Sequence, residues 1–412
     1  MSALLLALAA LALAPQDTVV IIADDVGTPD LERVATPHID ALAAAGVAFR
    51  AATAMPSCSV TRRTVLFGEW WRQESGEPCE PATPAAPPLE LVALPELCPG
   101  TSVLVGKWHV GGAHVPGACA PIEQGFDWWL AGTPANVPGC GGTGYFRWTR
   151  VTAGPGGCSA RLETDYAPRR QRAAFLAACR SGVRGPRLLV LSPNLAHAPY
   201  VRPTADLLPD GYPDTPETED RYEAMIVALD RIVGDVLAAV DLERTLVVFF
   251  GDNGTPPGFA PRHGRAKGSV YERGVRVPLI FAGGPVTEMG AESDELVHVV
   301  DVYATVAEWS GASVPASSPS RSLLATLTGA AHAPYHEYVA CGDEDERAAR
   351  SSTHKLVQRD LDGDGTFEVE EFYDLGALGD DGLPSEELDL DADPDVQALV
   401  AVHRAWLESA LP

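Results

Sequence analysis

Short apolar runs rich in β-branched residues recur along the chain at Thr18–Ala23, Ser102–Val105, Leu188–Ser192 and Leu246–Phe250. None alternates with polar residues, so each predicts a strand buried on both faces, as in a parallel sheet. Between them, Thr36–Gly46 carries a helical period that stops at a glycine, and Glu219–Leu242 reads as a long amphipathic helix. Strands alternating with helices predict an α/β fold over residues 18–318, a large and mostly parallel sheet sandwiched by helices. Residues 73–99 and 132–160 are rich in Pro and Gly and read as loops. A Ser/Pro stretch at Ser313–Ser320 reads as a linker. Beyond it, strand-like Tyr335–Ala340, Lys355–Arg359 and Phe367–Tyr373 precede a helix from about Pro394 to Leu411, which predicts a smaller C-terminal α+β domain over 319–412.

Composition narrows the function more than the fold. Among 412 residues, 46% are hydrophobic and 21% charged, which excludes wholesale disorder and coiled coil. A formal charge of −26 repels phosphate backbones, so general nucleic-acid binding is not expected. Residues 1–14 carry no charged side chain and are too short to span a bilayer. They read as the apolar core of a signal peptide with Ala12-Leu13-Ala14 as the cleavage signal, so export to the periplasm or medium is expected. No other stretch is long and apolar enough to span a membrane. Eight cysteines suit an exported chain, and local pairs such as Cys79–Cys98 or Cys140–Cys158 are the natural first guesses.

Each predicted strand is followed by a polar cluster: Asp24-Asp25, Gly106-Lys107-Trp108-His109, Asn194 through His197, and Gly251-Asp252-Asn253-Gly254. A pair of Asp after a strand is often a helix cap, and Asp-Asn-Gly is often a turn. Together, at equivalent ends of one open sheet, they mark a single site. Asp24, Asp25, Asp252 and Asn253 offer only hard oxygen donors, a set that suits Ca²⁺ and suits Mg²⁺ less well. Lys107, His109, His197 and Lys267 surround that cage with cationic and proton-carrying groups, which suits a phosphate or sulfate ester. The chain has three lysines against 27 arginines, and two of the three fall in this set.

Cys58-Ser59-Val60-Thr61-Arg62, followed by Gly68, supplies a candidate nucleophile. Here the sequence resembles the sulfatases that use formylglycine, within the alkaline phosphatase superfamily, whose signature is Cys-x-Pro-x-Arg leading to Gly. This chain carries Val60 where that signature has Pro or sometimes Ala. The resemblance extends through Thr36-Pro37-His38-Ile39-Asp40 and Gly46-Val47-Ala48-Phe49, which look like the family's first helix. It continues through Gly106–Gly111, Gly125-Phe126-Asp127, Lys267 with Tyr271–Pro278, and Phe372–Leu375.

The resemblance implies an alkaline-phosphatase-like fold and a sulfuric ester hydrolase acting on a sulfated small molecule or glycan, an arylsulfatase among the possibilities. Cys58 would be oxidised to formylglycine by a formylglycine-generating enzyme, and its hydrated aldehyde would be held on Ca²⁺ with Asp24, Asp25, Asp252 and Asn253. Asp252 would assist its attack on sulfur and Arg62 would hold the diol. Lys107 and Lys267 would hold sulfate oxygens, His197 would protonate the leaving alcohol, and His109 would deprotonate the second hydroxyl to expel sulfate. Asn136, ten residues past Phe126, and His263, four before Lys267, are further candidate substrate contacts. The alternatives are a phosphodiesterase or phosphonate hydrolase on the same scaffold, and a non-catalytic protein that binds sulfated glycans with an unmodified thiol at position 58. Asp360-Leu361-Asp362-Gly363-Asp364-Gly365 with Glu368 and Glu371 has EF-hand spacing, but strand-like flanks predict a hairpin turn, with a second, structural Ca²⁺ in that turn as the alternative.

Overall fold

The computed structural model describes residues 17–71, 91–111, 119–137, 144–183, 185–343, 345–376, 388 and 393–411, with the backbone alone at His263. The signal segment, Cys79 and Cys140 lie outside the described residues. Among the described residues, ten strands form the main sheet: β1 (Asp17–Ala23), β2 (Gly46–Phe49), β3 (Thr101–Lys107), β4 (Trp128–Thr133), β5 (Trp148–Gly154), β6 (Gly157–Glu163), β7 (Arg187–Ser192), β8 (Thr245–Gly251), β9 (Leu279–Ala282) and β10 (Ala291–Ser293). Their order is β10-β2-β9-β8-β1-β7-β3-β4-β5-β6, with a parallel centre from β8 to β4.

The continuous apolar runs are explained by burial on both sides. Successive side chains of a strand point to opposite faces. Val19 and Ile21 pack on one face with Ile226, Leu229 and Val233 of a long helix, and Val20 and Ile22 pack on the other with Val65, Leu66 and Val302. Among the described residues the longer helices are α1 (Pro37–Ala44), α2 (Cys58–Phe67), α3 (Ala167–Cys179), α4 (Thr218–Leu237), α5 (Asp301–Trp309) and α6 (Pro394–Ala410). Among the described residues, no helix is long and apolar enough to cross a membrane.

A second, antiparallel sheet follows in the order β11 (Val339–Gly342), β12 (Glu346–Arg350), β13 (His354–Arg359) and β14 (Val369–Asp374). One of its faces, through Ala340, Ala349, Leu356 and Phe372, packs on Val400 and Leu407 of α6. The other, through Cys341, Ala348, Val357 and Tyr373, packs on Val270, Tyr271 and Val275 from the main-sheet region. The acidic 360–368 segment is the β13–β14 connection. The Asp360 carboxylate accepts hydrogen bonds from the amides of Gly363 (2.8 Å) and Gly365 (2.7 Å), so it shapes the turn between two strands.

Several local expectations are corrected. The first helix ends at Ala44, and Gly46–Phe49 forms strand β2 against β9 instead of continuing a helix. A Cβ at Gly46 would lie 2.0 Å from the Phe281 carbonyl oxygen, so the glycine serves a close strand contact. The 132–160 region is not all loop: β5 and β6 form an antiparallel hairpin, invisible in the pattern because β6 is largely exposed. The end of the Ser313–Ser320 stretch packs down, with Ser318 and Ser320 buried and Ser320 Oγ donating to the Val300 carbonyl (2.7 Å) and accepting from Ala304 N (2.9 Å). In the small sheet the observed strand is Val339–Gly342, and β12 went unpredicted because Arg347 and Arg350 interrupt its apolar pattern. The guessed cysteine pairs also fail. Cys158 pairs with Cys119, 39 residues away, and Cys98 is a free thiol beside Ser310.

Candidate active site

Sheet register brings the polar clusters together. Ala23 lies opposite Gly251 and Gly106 opposite Ser192, so β1, β8, β7 and β3 end at one level. The residues that follow share one buried volume: Asp24, Asp252 and Asn253 are wholly buried, and Asp25 is nearly so. Asp25 adopts a left-handed backbone (φ 63°), a conformation that Asp tolerates better than most residues. Its amide donates to Asp252 Oδ1 (3.1 Å), and the Tyr222 hydroxyl donates to its carbonyl (2.8 Å). The turn therefore aims both carboxylates into the site.

Cys58 is the first residue of α2, and Arg62 stands one turn further along the same helix face. Both are buried. Arg62 Nε and Nη2 donate to Asp252 Oδ2 at 3.0 and 2.7 Å, while Nη1 bonds the Lys107 carbonyl (3.3 Å) and the Ser192 hydroxyl. Lys107 Nζ straddles Asp24, at 2.7 Å from Oδ1 and 2.9 Å from Oδ2. Lys267 Nζ lies 2.6 Å from Asp25 Oδ1, an oxygen shared with Asn253 Nδ2 at 3.0 Å. Metal-capable atoms of Asp24, Cys58 and Asp252 lie within 4.8 Å of one another.

The histidines flank this cluster. His109 Nδ1 is 3.1 Å from Cys58 Sγ, and the His109 amide donates to the Pro134 carbonyl (2.8 Å). His197 Nδ1 is 2.7 Å from the Ala198 carbonyl, which can only accept, so that nitrogen carries hydrogen and Nε2 faces Asp25 Oδ2 at 3.8 Å. Asn136 sits half-buried on the loop after β4 whose Thr133 and Pro134 carbonyls hold Trp108 and His109. His263 begins a short 3₁₀ turn ahead of Lys267, and its side chain lies outside the described residues. The other described histidines are committed elsewhere: His38 bonds Asp230 (2.7 Å), His298 accepts from the Val300 amide (3.0 Å), His332 bonds Thr326 (2.9 Å), His336 bonds Asp301 (2.9 Å), His354 stacks on Phe372, and His403 bonds the Leu399 carbonyl (2.7 Å).

Electrostatics separate the groups into charged and neutral members. Burial works against ionisation of Asp24 and Asp25, but Lys107 and Lys267 respectively, each joined by His197, outweigh it and hold both carboxyls below the usual range. Asp252 is pushed up to about 6 by burial and by Asp24. Burial would lower Lys267, but Asp25 more than offsets it and the ammonium is held above its ordinary value. Burial, reinforced by Lys107 and Arg62, drops His109 well below the ordinary imidazole value. Burial also lowers His197, and it pushes the Cys58 thiol up. At neutral pH residue 58 is therefore a poor nucleophile as a thiol.

Several supporting residues escaped the sequence pattern. Ser192 closes β7 and bonds Arg62; a polar residue ending an apolar run was its one available signal. Tyr145 comes from a Gly-rich loop with no signal, yet its hydroxyl bonds the carbonyls of Asn194 and His197 (2.6 Å). Asn194 serves structure, its amide oxygen accepting from Gln171 (2.7 Å) and Thr133 (3.1 Å).

The family model described as Sulfatase matches residues 16–312. A sulfatase of Formosa agariphila is 38% identical over 118 residues, 25% of this chain and 21% of that protein. Human arylsulfatase A is 30% identical over 355 residues, covering 76% of this chain and 68% of the human protein. The chain thus spans between about a fifth and about two thirds of the length of these curated relatives. The crystal structure of Ps i-CgsB in complex with k-i-k-neocarrahexaose superposes with a TM-score of 0.75 at 20% identity, over 96% of this chain and 92% of that one. That likeness speaks for the fold, while the matched family model runs through the strand ends and α2 described above. The chain belongs to the sulfatase family.

Proposed function

We propose that this chain is an exported hydrolase of sulfate esters, on a carbohydrate or an aryl alcohol, working through Cys58 converted to formylglycine and a bound Ca²⁺. One observation carries the reading: residue 58 at the head of α2 lies in one cluster with three carboxylates, two ammonium groups, Arg62 and two imidazoles, of which Lys267 and His197 are half-buried and the others buried. The donor set fits the cation. Asn253 Oδ1 is buried with no hydrogen-bond partner among the described residues, and the nearby metal-capable atoms of Asp24 and Asp252 are hard oxygens. Asp24, Asp25, Asp252 and Asn253 would hold the ion together with residue 58. Bound there, Ca²⁺ would offset the acidic cluster and polarise an oxygen of the sulfate. Formylglycine would supply a hydrated aldehyde as nucleophile, with a second hydroxyl through which the residue is regenerated.

The chain's own residues do the rest. Arg62, fixed by Asp252, Ser192 and the Lys107 carbonyl, holds the first turn of α2 in register with the strand ends. Lys107 and Lys267 each carry three N–H donors, so each can keep its carboxylate and still direct hydrogen toward a sulfate oxygen. His109 is neutral and sits against residue 58, placed to accept its proton. His197, with Nδ1–H tied to a carbonyl, presents Nε2 toward the leaving oxygen, and an incoming anion favours its protonated form.

Peptide mass spectrometry of the Cys58 fragment, combined with turnover on sulfated sugars and aryl sulfates, tests the reading. Partial conversion is expected, because Val60 replaces the ring that the family's modification signature carries, and Val60→Pro should raise the converted fraction and specific activity together. Thiol alone at position 58, with binding and no turnover, would instead leave a sulfated-glycan-binding protein. Exhaustive chelation is expected to abolish turnover and lower Tm, since Asp24, Asp25 and Asp252 then face one another without the cation. Full activity after chelation would remove the metal from the mechanism.

A further inference from the structure

The third lysine, Lys355, lies on β13 and is 1% exposed, in a chain that otherwise uses arginine. Its Nζ is 2.9 Å from Glu272 Oε1, and Arg350 Nε is 3.4 Å from the same oxygen. Glu272, itself 2% exposed, belongs to the 266–277 segment that carries Lys267. Burial would raise this carboxyl, but Lys355 and Arg350 hold it down at about 2.

That segment is a hub of the site. Gly254 N and Thr255 N donate to the carbonyls of Gly274 (2.8 Å) and Arg273 (2.9 Å), which anchors the turn after Asp252-Asn253. Lys267 N donates to the Thr255 carbonyl (2.9 Å). Gly268 N donates to the Pro56 carbonyl (2.9 Å) and Ala54 N to the Val275 carbonyl (2.7 Å), which anchors the approach to Cys58. The seam tolerates no side chain: a Cβ at Gly254 would sit 2.0 Å from the Arg273 carbonyl oxygen. On its far side the small sheet closes over it. Glu346 Oε2 accepts from Val270 N (3.0 Å) and Glu371 Oε2 from the Tyr271 hydroxyl (2.6 Å).

We propose that Lys355 is a positioning residue: through Glu272 it seats the 266–277 segment, and so sets the spacing of Lys267, the Asp252-Asn253 pair and residue 58. The inference rests on the proposed reading of that site. A seam that served packing alone would be at least as well served by apolar residues, because desolvating both charges costs much of what their attraction returns. A charged pair fixes one orientation of Glu272.

The test compares wild type with Lys355→Met and Lys355→Arg, well below Tm. Hydrogen–deuterium exchange is expected to be about tenfold faster at Gly254, Thr255, Lys267 and Gly268 in Lys355→Met, with the rest of the main sheet unchanged. Ca²⁺ affinity by calorimetry should fall by about tenfold, and Lys355→Arg should recover part of both. If Lys355→Met does not fold, Lys355→Gln keeps a hydrogen-bond donor for Glu272, whose charge Arg350 still faces, and carries the same expectation. A lowered Tm with unchanged exchange at those amides would overturn the inference and leave Lys355 a strut. A wild type that neither binds Ca²⁺ nor turns over a sulfate ester would sink the proposed function, while the exchange result would still decide the role of Lys355.

Discussion

Lys107→Ala is expected to lower turnover of a sulfate ester by at least about two orders of magnitude, the usual cost of a lost oxyanion donor. The same change should destabilise the Ca²⁺-free protein. Lys107 Nζ contacts both oxygens of a wholly buried Asp24, and removing one partner of such a pair costs about 3–5 kcal/mol. Arg62 Nη2, 3.8 Å from Asp24 Oδ1, remains a counter-charge but makes no hydrogen bond to it. Ca²⁺ should therefore raise the Tm of the variant by more than it raises that of the wild type, because the ion supplies the charge that Asp24 has lost. Melting curves with and without Ca²⁺ check this. Equal Tm increments in the two proteins would mean that lysine and cation do not share Asp24.

His197→Ala is expected to separate substrates by their leaving groups. Its Nδ1 is committed to the Ala198 carbonyl, and its backbone carbonyl is bonded by Tyr145, so the ring is held with Nε2 toward the cluster. A general acid contributes about 10²–10⁴-fold when the departing oxygen is a poor leaving group. Alkyl and sugar sulfates should therefore lose rate on that scale, whereas a nitrophenyl sulfate, which departs as a stable anion, should lose far less. The measurement is kcat on both substrate types in wild type and variant. Equal losses on the two would show that His197 places the substrate and does not donate a proton.

Much of the site was legible because chemistry-bearing residues stand at the ends of apolar runs. A strand buried on both faces has to be apolar, so Asp24-Asp25 after β1, Lys107 at the end of β3 and Asp252-Asn253 after β8 stand out where those runs stop. The same logic fails where an element has no strong apolar signature. β6 is exposed along most of its length, and the arginines of β12 hide its alternation, so neither was read as a strand.

The sequence alone determined which residue types lie at the strand ends, that they are hard oxygen donors, cations and imidazoles, and that Arg62 follows Cys58 by four residues. These are local properties, carried by strand and helix periods over a few residues. Only the tertiary structure decided which of them meet. The register of β1 on β8 sets Asp24 beside Asp252, and the packing of α2 against the sheet brings Cys58 to His109, 51 residues away. It also paired Cys119 with Cys158 and closed Lys355 onto Glu272, 83 residues apart. Such distances depend on how whole faces pack against one another, and a local pattern of polar and apolar positions carries the direction of each face but not the partner it will meet.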